Sequence, residues 1–468
     1  MKIIKSITIL FFLSLISKDA ISQNIKKPNV VLLFSDDQRL QGTIHALGGK
    51  EVITPNLDAL VKSGTAFTKT YIMGGSQGAV CVPSRNMLMT GRSLFSIGAE
   101  GQVILPQNIT LGETLGKNGY TTYGIGKWHN DKAAFNRSFE NGDEIFFGGM
   151  SYNPYNVGLF HYDKEGKYSS NPNTTKEELK SSGLHSSPKH HTEVFGDAAV
   201  KFIENYTKEK PFFLYVAFKS PHDPRIMPDE YKAMYDTSKI TLPKNFMPQH
   251  PFDNGELKVR DEMLAAFPRS PSEVKEHIRD YYAMMTHLDK QIGNIVEALK
   301  AKGDYENTII VFAGDNGLAL GQHGLMGKQN VYEHSINVPL IIAGNGIPKG
   351  KLNSNFAYTF DIFPTICQLT GNPIPPSVQG QALFGKNIKV RETMFYAYRN
   401  FQRAIRKGDW KLIEYTVNGQ KTSQLFNLKK DPFELKNLSN DAKFSIKLTE
   451  MKTSLSEQKK TFNDSIKN

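Results

Sequence analysis

Four short apolar runs, at residues 30–34, 121–125, 212–218 and 308–313, each break off abruptly into charged or polar residues. A fifth, at 338–343, is equally apolar. Helical patterns lie between them. Leu57, Leu60 and Val61 share one face, after a Thr54-Pro55 start and before a Gly64 stop. Tyr281, Leu288, Ile292, Ile295 and Leu299 recur at the spacing of a long amphipathic helix. Strands alternating with such helices predict an α/β fold, a large and mainly parallel sheet flanked by helices. In such a sheet the carboxyl ends of parallel strands share one edge, where ligands bind.

The residues at those strand ends carry chemistry. Asp36 and Asp37 follow the first run, and Gly126-Lys127-Trp128-His129 the second. Pro221-His222-Asp223-Pro224 follows the third, and Gly314-Asp315-Asn316-Gly317 the fourth. All four ends are expected at one site. There Asp36, Asp37, Asp315 and Asn316 offer hard oxygen ligands with three negative charges, a set that suits calcium or magnesium better than zinc. Taken singly, an Asp pair after a strand also serves as a capping turn, and Asp-Asn-Gly as a plain turn.

Cys81-Val82-Pro83-Ser84-Arg85 opens another helix, with Pro83 in its first turn and Gly91 as its stop. Cys81 then sits at the helix start, where backbone N–H groups and the dipole favour an anion. Arg85, four residues on, is close to the same face. On helix logic alone a buried structural cysteine fits equally well. The chain has only two cysteines, Cys81 and Cys367, and one bridge between them is possible in principle. A chain of 468 residues can stabilise itself by core burial without it.

With Thr90-Gly91-Arg92 behind it, the Cys81–Arg85 pentapeptide resembles the signature of the formylglycine-dependent (type I) sulfatase family, and in particular of secreted bacterial polysaccharide sulfatases. Asp36-Asp37, Gly126 to His129, Pro221-His222, Asp315 to Gly317 and Gly327-Lys328 fall in family order. Leu425 to Leu428, Asp431-Pro432 and Asn437-Leu438 resemble the family's C-terminal sheet.

The resemblance implies the alkaline-phosphatase-like sulfatase fold and a hydrolase of sulfate esters. It implies that a maturation enzyme, of the formylglycine-generating or anaerobic type, oxidises Cys81 to formylglycine, which leaves Cys367 a lone buried thiol. One Ca2+ would be held by Asp36, Asp37, Asp315, Asn316 and the modified Cys81. The aldehyde hydrates, and one oxygen of the hydrate attacks sulfur. Arg85 holds that hydrate, while Lys127 and Lys328 neutralise sulfate oxygens. His222 protonates the leaving alcohol, and His129 takes the proton whose loss expels sulfate. His323 either helps to place the substrate or braces the loop that carries Lys328, and Arg225 is a candidate substrate contact on its residue type, not one that the resemblance implies. Lys219 stands where a smaller or less basic residue is expected.

The organisation follows from the same patterns. Lys2 and Lys5, an apolar run at 7–16, and Ala20 and Ser22 read as a signal peptide over residues 1–22. The mature protein is therefore expected to be soluble and exported, periplasmic or secreted, with no stable membrane anchor. Residues 23–385 are expected to form the catalytic domain. Runs at 394–398, 403–406, 410–415 and 422–428 read as a small antiparallel sheet, followed by a helical tail, in a subdomain over 386–468. Irregular stretches at about 148–191 and 243–271 are long enough to shape a binding site.

The formal charge of +11 falls to +9 without the signal segment, and suits an anionic partner. With no basic helix, zinc finger or aromatic single-strand motif, nucleic acid is not expected. A sulfated carbohydrate is the expected substrate, with Arg137, His161, His250 and Arg399 as further candidate contacts. A phosphoester hydrolase with two metals and a Ser or Thr nucleophile is the nearest rival. The Cys at the nucleophile position and the one-metal ligand set speak against it.

Overall fold

The structure is a computed structural model that describes residues 27–163, 165, 167–170, 185–186, 188–385 and 388–464. The signal segment expected at 1–22 lies outside the described residues.

The apolar run at 30–34 forms β1 (Asn29–Ser35), buried at every position. The Pro55 start gives α1 (Pro55–Ser63), which leads into β2 (Gly64–Phe67). Thr54 is not the functional cap expected of it, because its hydroxyl accepts from His45 N instead. Asp289 caps this helix from a distance, taking the N–H groups of Asn56 at 3.1 Å and Leu57 at 2.7 Å.

The helix α2 (Cys81–Thr90) and α3 (Leu111–Lys117) precede β3 (Thr121–Lys127), β4 (Asn141–Phe146), β5 (Phe160–Tyr162) and β6 (Tyr168–Ser170). Then come α4 (His191–Asn205), β7 (Phe212–Ala217), the long α5 (Pro271–Lys302), β8 (Thr308–Gly314), β9 (Leu340–Ala343), β10 (Lys351–Asn353) and α6 (Ile362–Leu369).

These ten strands form one sheet in the order β10-β2-β9-β8-β1-β7-β3-β4-β5-β6. The central five, β8-β1-β7-β3-β4, are parallel as expected. The sheet as a whole is mixed, because β9 runs antiparallel to β8, and β5 antiparallel to β4. Pro339 splits the run at 338–343, so that Asn337–Val338 pairs elsewhere and only Leu340–Ala343 joins the sheet.

Strand alternation divides the core between two layers. Val31 and Leu33 pack with α1, α4 and α5, while Val30, Leu32 and Phe34 pack with α2, α3 and α6. Cys367, on α6, is a free and fully buried thiol.

The expected antiparallel sheet is present as β11 (Thr393–Tyr398), β12 (Gln402–Lys407), β13 (Trp410–Val417) and β14 (Gln420–Asn427). A two-residue strand, Gly74–Gly75, extends it alongside β11. The tail helix α7 (Ser445–Thr461) covers one face, where Met451 and Leu455 pack on Phe395, Ile405, Leu412 and Leu425. Among the described residues no helix is long and apolar enough to cross a membrane.

Candidate active site

Parallel pairing puts the ends of β1, β3, β7 and β8 on one edge, and the reactive residues meet there. Cys81 is the first residue of α2, a helix whose ten residues are all buried. Its Sγ lies 3.2 Å from His129 Nδ1 and 3.9 Å from Lys127 Nζ. Lys127 ends β3, just after a bulge between Ile125 and Gly126. Gly126 is required there: its φ is 82°, and a Cβ would stand 2.1 Å from the Ala217 carbonyl oxygen of β7.

Charged groups interlock beneath Cys81. The Lys127 ammonium donates to the Asp36 carboxylate. Arg85 donates from Nε to Asp315 Oδ2 at 3.1 Å and from Nη1 to the Lys127 carbonyl at 2.7 Å. Asp315 Oδ1 accepts the backbone N–H of Asp37 at 3.0 Å. Asp37 Oδ1 accepts from Asn316 Nδ2 at 2.7 Å and from Lys328 Nζ at 2.6 Å. His222 Nε2 stands 3.7 Å from the other Asp37 oxygen, while its Nδ1 is 2.7 Å from the Asp223 carbonyl.

Two of these residues hold left-handed backbone that a side chain disfavours, Asp37 at φ 64° and His129 at φ 62°. Each such residue costs about 1 kcal/mol, a strain that clusters at functional sites. Tyr281 of α5 secures the first, donating its hydroxyl to the Asp37 carbonyl at 2.7 Å.

Burial and neighbouring charge set the protonation of the site. Burial pushes the Cys81 thiol up to about 11, against the pull of Lys127 and Lys328. Burial also raises Asp315, to about 7, with Asp36 and Asp37 adding to the push. At Asp36 burial acts in the same direction, but Lys127, His222 and Arg85 outweigh it and hold the carboxyl well below the usual range. Burial lowers His222 to about 3, against the pull of Asp37. Burial likewise lowers His129, with Lys127 and Arg85 adding to the effect.

Three carboxylates and an amide oxygen crowded in this way fit a hard divalent cation. Asp36 Oδ1 and Asn316 Oδ1 are buried without a hydrogen-bond partner, as oxygen atoms reserved for a metal would be.

A cavity of about 320 Å³ opens over Cys81, His129, His222 and Lys328. Beside Gly78, Ala79 and Val259, its remaining wall includes five polar, small or flexible residues that sequence reasoning missed: Gly149, Met150, Arg260, Asp261 and Gln329. Four of the five lie on or at the start of the two irregular stretches, whose want of periodicity was the one available signal. Gln329 sat unremarked beside Lys328.

Other candidates are not brought to this cavity. His323 stacks on Tyr332 at 4.1 Å, and Asn245 Nδ2 is 3.1 Å from its Nε2, so it braces its loop. Arg225 is not among the residues that line the cavity, and its Nη1 stands 3.1 Å from His277 Nδ1. Arg137 pairs with Glu113, His161 with Asp143 and Arg399 with Glu256, while His250 packs among Phe252 and Tyr332. Lys219 is buried over the Phe146 ring and donates to Ser151 Oγ at 2.7 Å.

The family model for sulfatases matches residues 28–372, most of the described chain. The chain belongs to the sulfatase family. Its class is therefore sulfuric ester hydrolase. A second model, the C-terminal region of N-sulphoglucosamine sulphohydrolase, matches residues 321–461.

Among curated relatives, an N-acetylglucosamine-6-O-sulfatase of Bacteroides thetaiotaomicron is 24% identical, over 94% of this chain and 88% of its own. An ulvan-active sulfatase of Formosa agariphila is 28% identical, over 94% of this chain and 83% of its own. Among solved structures, BT4656 in complex with its substrate D-glucosamine-2-N,6-O-disulfate superposes with a TM-score of 0.76. That likeness covers 94% of this chain and 99% of the other at 23% identity, and it speaks for the fold.

Proposed function

We propose that this sulfatase hydrolyses sulfate esters of a sulfated carbohydrate with a nucleophile made by oxidising Cys81, and that it depends on calcium. The observation that carries the reading is the position of Cys81. It stands at the start of a buried helix, 3.2 Å from a histidine and 3.9 Å from a lysine, beside a cluster of acidic oxygens.

Asp36, Asp37, Asp315 and Asn316 would hold the ion, with the modified Cys81 side chain beside them. Calcium there supplies positive charge against the sulfate, and formylglycine supplies the attacking oxygen. The chain's own groups do the rest. Lys127 and Lys328 neutralise sulfate oxygens as charge develops on them. Arg85, fixed by Asp315 and the Lys127 carbonyl, holds the modified side chain in place. His222 lines the cavity and is placed to protonate the departing alcohol oxygen, with the negative charge of a bound sulfate ester raising its pKa from the low value that burial gives it. His129 Nδ1 takes a proton from the end of the residue-81 side chain.

A carbohydrate substrate is supported by the relatives named for sugar sulfates and by the excess positive charge. The segment at 1–22 supports export, with residues 23–385 carrying the chemistry and 386–468 a subdomain. A maturation enzyme is then a transient partner. Mass spectrometry of the Cys81 peptide, after co-expression with such an enzyme, tests the reading. An aldehyde at residue 81 is expected, and an unmodified thiol under conditions that mature a known sulfatase would overturn it.

A further inference from the structure

One wall of the cavity carries a negative charge where a site for anions would be expected to carry none. Asp261 lines it, on the short turn Arg260–Leu264. Its Oδ2 accepts from Gln329 Nε2 at 2.7 Å and its Oδ1 from Arg260 Nη1 at 3.0 Å. Each oxygen keeps a further lone pair for a ligand. Lys328 and the Gln329 hydrogen bond hold this carboxyl below its usual range although burial opposes them.

The carboxylate sits on rigid support. Glu262, next in the chain, accepts the backbone N–H of Met326 at 2.8 Å and of Gly327 at 2.9 Å. Arg269 clamps Glu262 from behind at 2.5 Å. Gln329 is tied to the same loop, accepting Lys328 N at 2.9 Å and donating to the Gly78 carbonyl at 3.0 Å. Asp261 is thereby held in fixed relation to Lys328. The neighbouring cation offers little to a second anion, because Arg260 is shared between Asp261 and the buried Asp223 carboxylate.

We propose that Asp261 determines specificity: it accepts a hydrogen bond from a hydroxyl or ammonium flanking the ester and rejects a second sulfate at that place. A sulfate there would set acceptor against acceptor and charge against like charge, with no proton to share. The substrate class is then a sugar bearing one sulfate within the cavity. This rests on the carbohydrate reading above.

The test uses matured full-length enzyme and matched pairs of sugar sulfates that differ only by a second sulfate beside the ester. Pairs with a free hydroxyl and with a free amine separate the two donors. Wild type is expected to favour the monosulfated member by at least tenfold in kcat/KM, and Asp261→Asn to narrow that ratio. Equal rates on both members, or a ratio unchanged in Asp261→Asn, would overturn the assignment. The wild-type ratio decides even if the variant fails to fold. Turnover of a small aryl sulfate with none of any sugar sulfate would instead fell the carbohydrate reading, and this assignment with it.

Discussion

Nδ1 of His129 stands 3.2 Å from the sulfur of Cys81. The far side of the ring is closed by Gly149, where a Cβ would stand 2.5 Å from Nε2. A side chain at residue 149 would therefore run into the ring that faces Cys81.

Gly149→Ala should push that ring off Cys81 without disturbing the core. Displacing a catalytic group by about 1 Å can cost on the order of 100-fold in rate. A fall in kcat of about 10- to 100-fold is expected, with a thermal midpoint near wild type. Wild-type kcat would show that the ring position is not critical.

His129→Ala should lower kcat by about 100- to 10,000-fold, the range of a lost general acid–base group. Steady-state rates on a sugar sulfate measure it. A loss under tenfold would remove His129 from the mechanism.

How far the sequence revealed this site depends on the kind of residue. The runs at 30–34, 121–125 and 308–313 became β1, β3 and β8 within two residues, because each is apolar and stops at a polar group. Parallel pairing then made the meeting of Asp36, Lys127 and Asp315 a consequence of topology. What the sequence hid depends on contacts distant in the chain. Asp289 caps α1 from 233 residues away, and Glu262 holds the backbone of Gly327 from 65 residues away. Neither belongs to a local pattern. His323 is a related case: the sequence leaves open whether it meets substrate or braces its loop, and its stacking on Tyr332 is visible only in the fold.

The Glu262–Arg269 pair is buried, at 3% and 0% exposure, and joins the Asp261 turn to the Lys328 loop. Arg269→Met leaves Glu262 unpaired and should cost about 3–5 kcal/mol of stability. Denaturant unfolding measures it, and a cost below about 1 kcal/mol would show that the clamp is dispensable.

Calcium should stabilise the fold as well as permit catalysis. At 100 times its dissociation constant a ligand contributes about 2.7 kcal/mol. A chelator should lower the thermal midpoint and added calcium restore it, with the shift abolished in Asp315→Ala. No shift in wild type would contradict the assigned ligand set.

Acid should destabilise the protein from about pH 6.5 downward. Burial lowers His190 to about 3 and His250 to about 4, so the folded state stays neutral where unfolded histidine, near 6.5, takes up protons. Each such group costs about 1.4 kcal/mol per pH unit across that window. Buried carboxyls raised to about 7, Asp315 and Glu262 among them, offset part of this by taking up protons in the folded state. The lowered histidines, His222, His277 and His323 among them, outnumber these carboxyls, so unfolding midpoints should fall from pH 6 to pH 5. A midpoint that rises toward pH 5 would contradict the sign.

The most direct test of the account is sulfate release by the matured enzyme across a panel of sulfated glycans and their oligosaccharides, with Cys81→Ala as the blank. The account predicts release from at least one class of sugar sulfate and none in the blank. Release that survives Cys81→Ala, or turnover of phosphate or phosphonate esters with no sulfate released from any glycan, would contradict it.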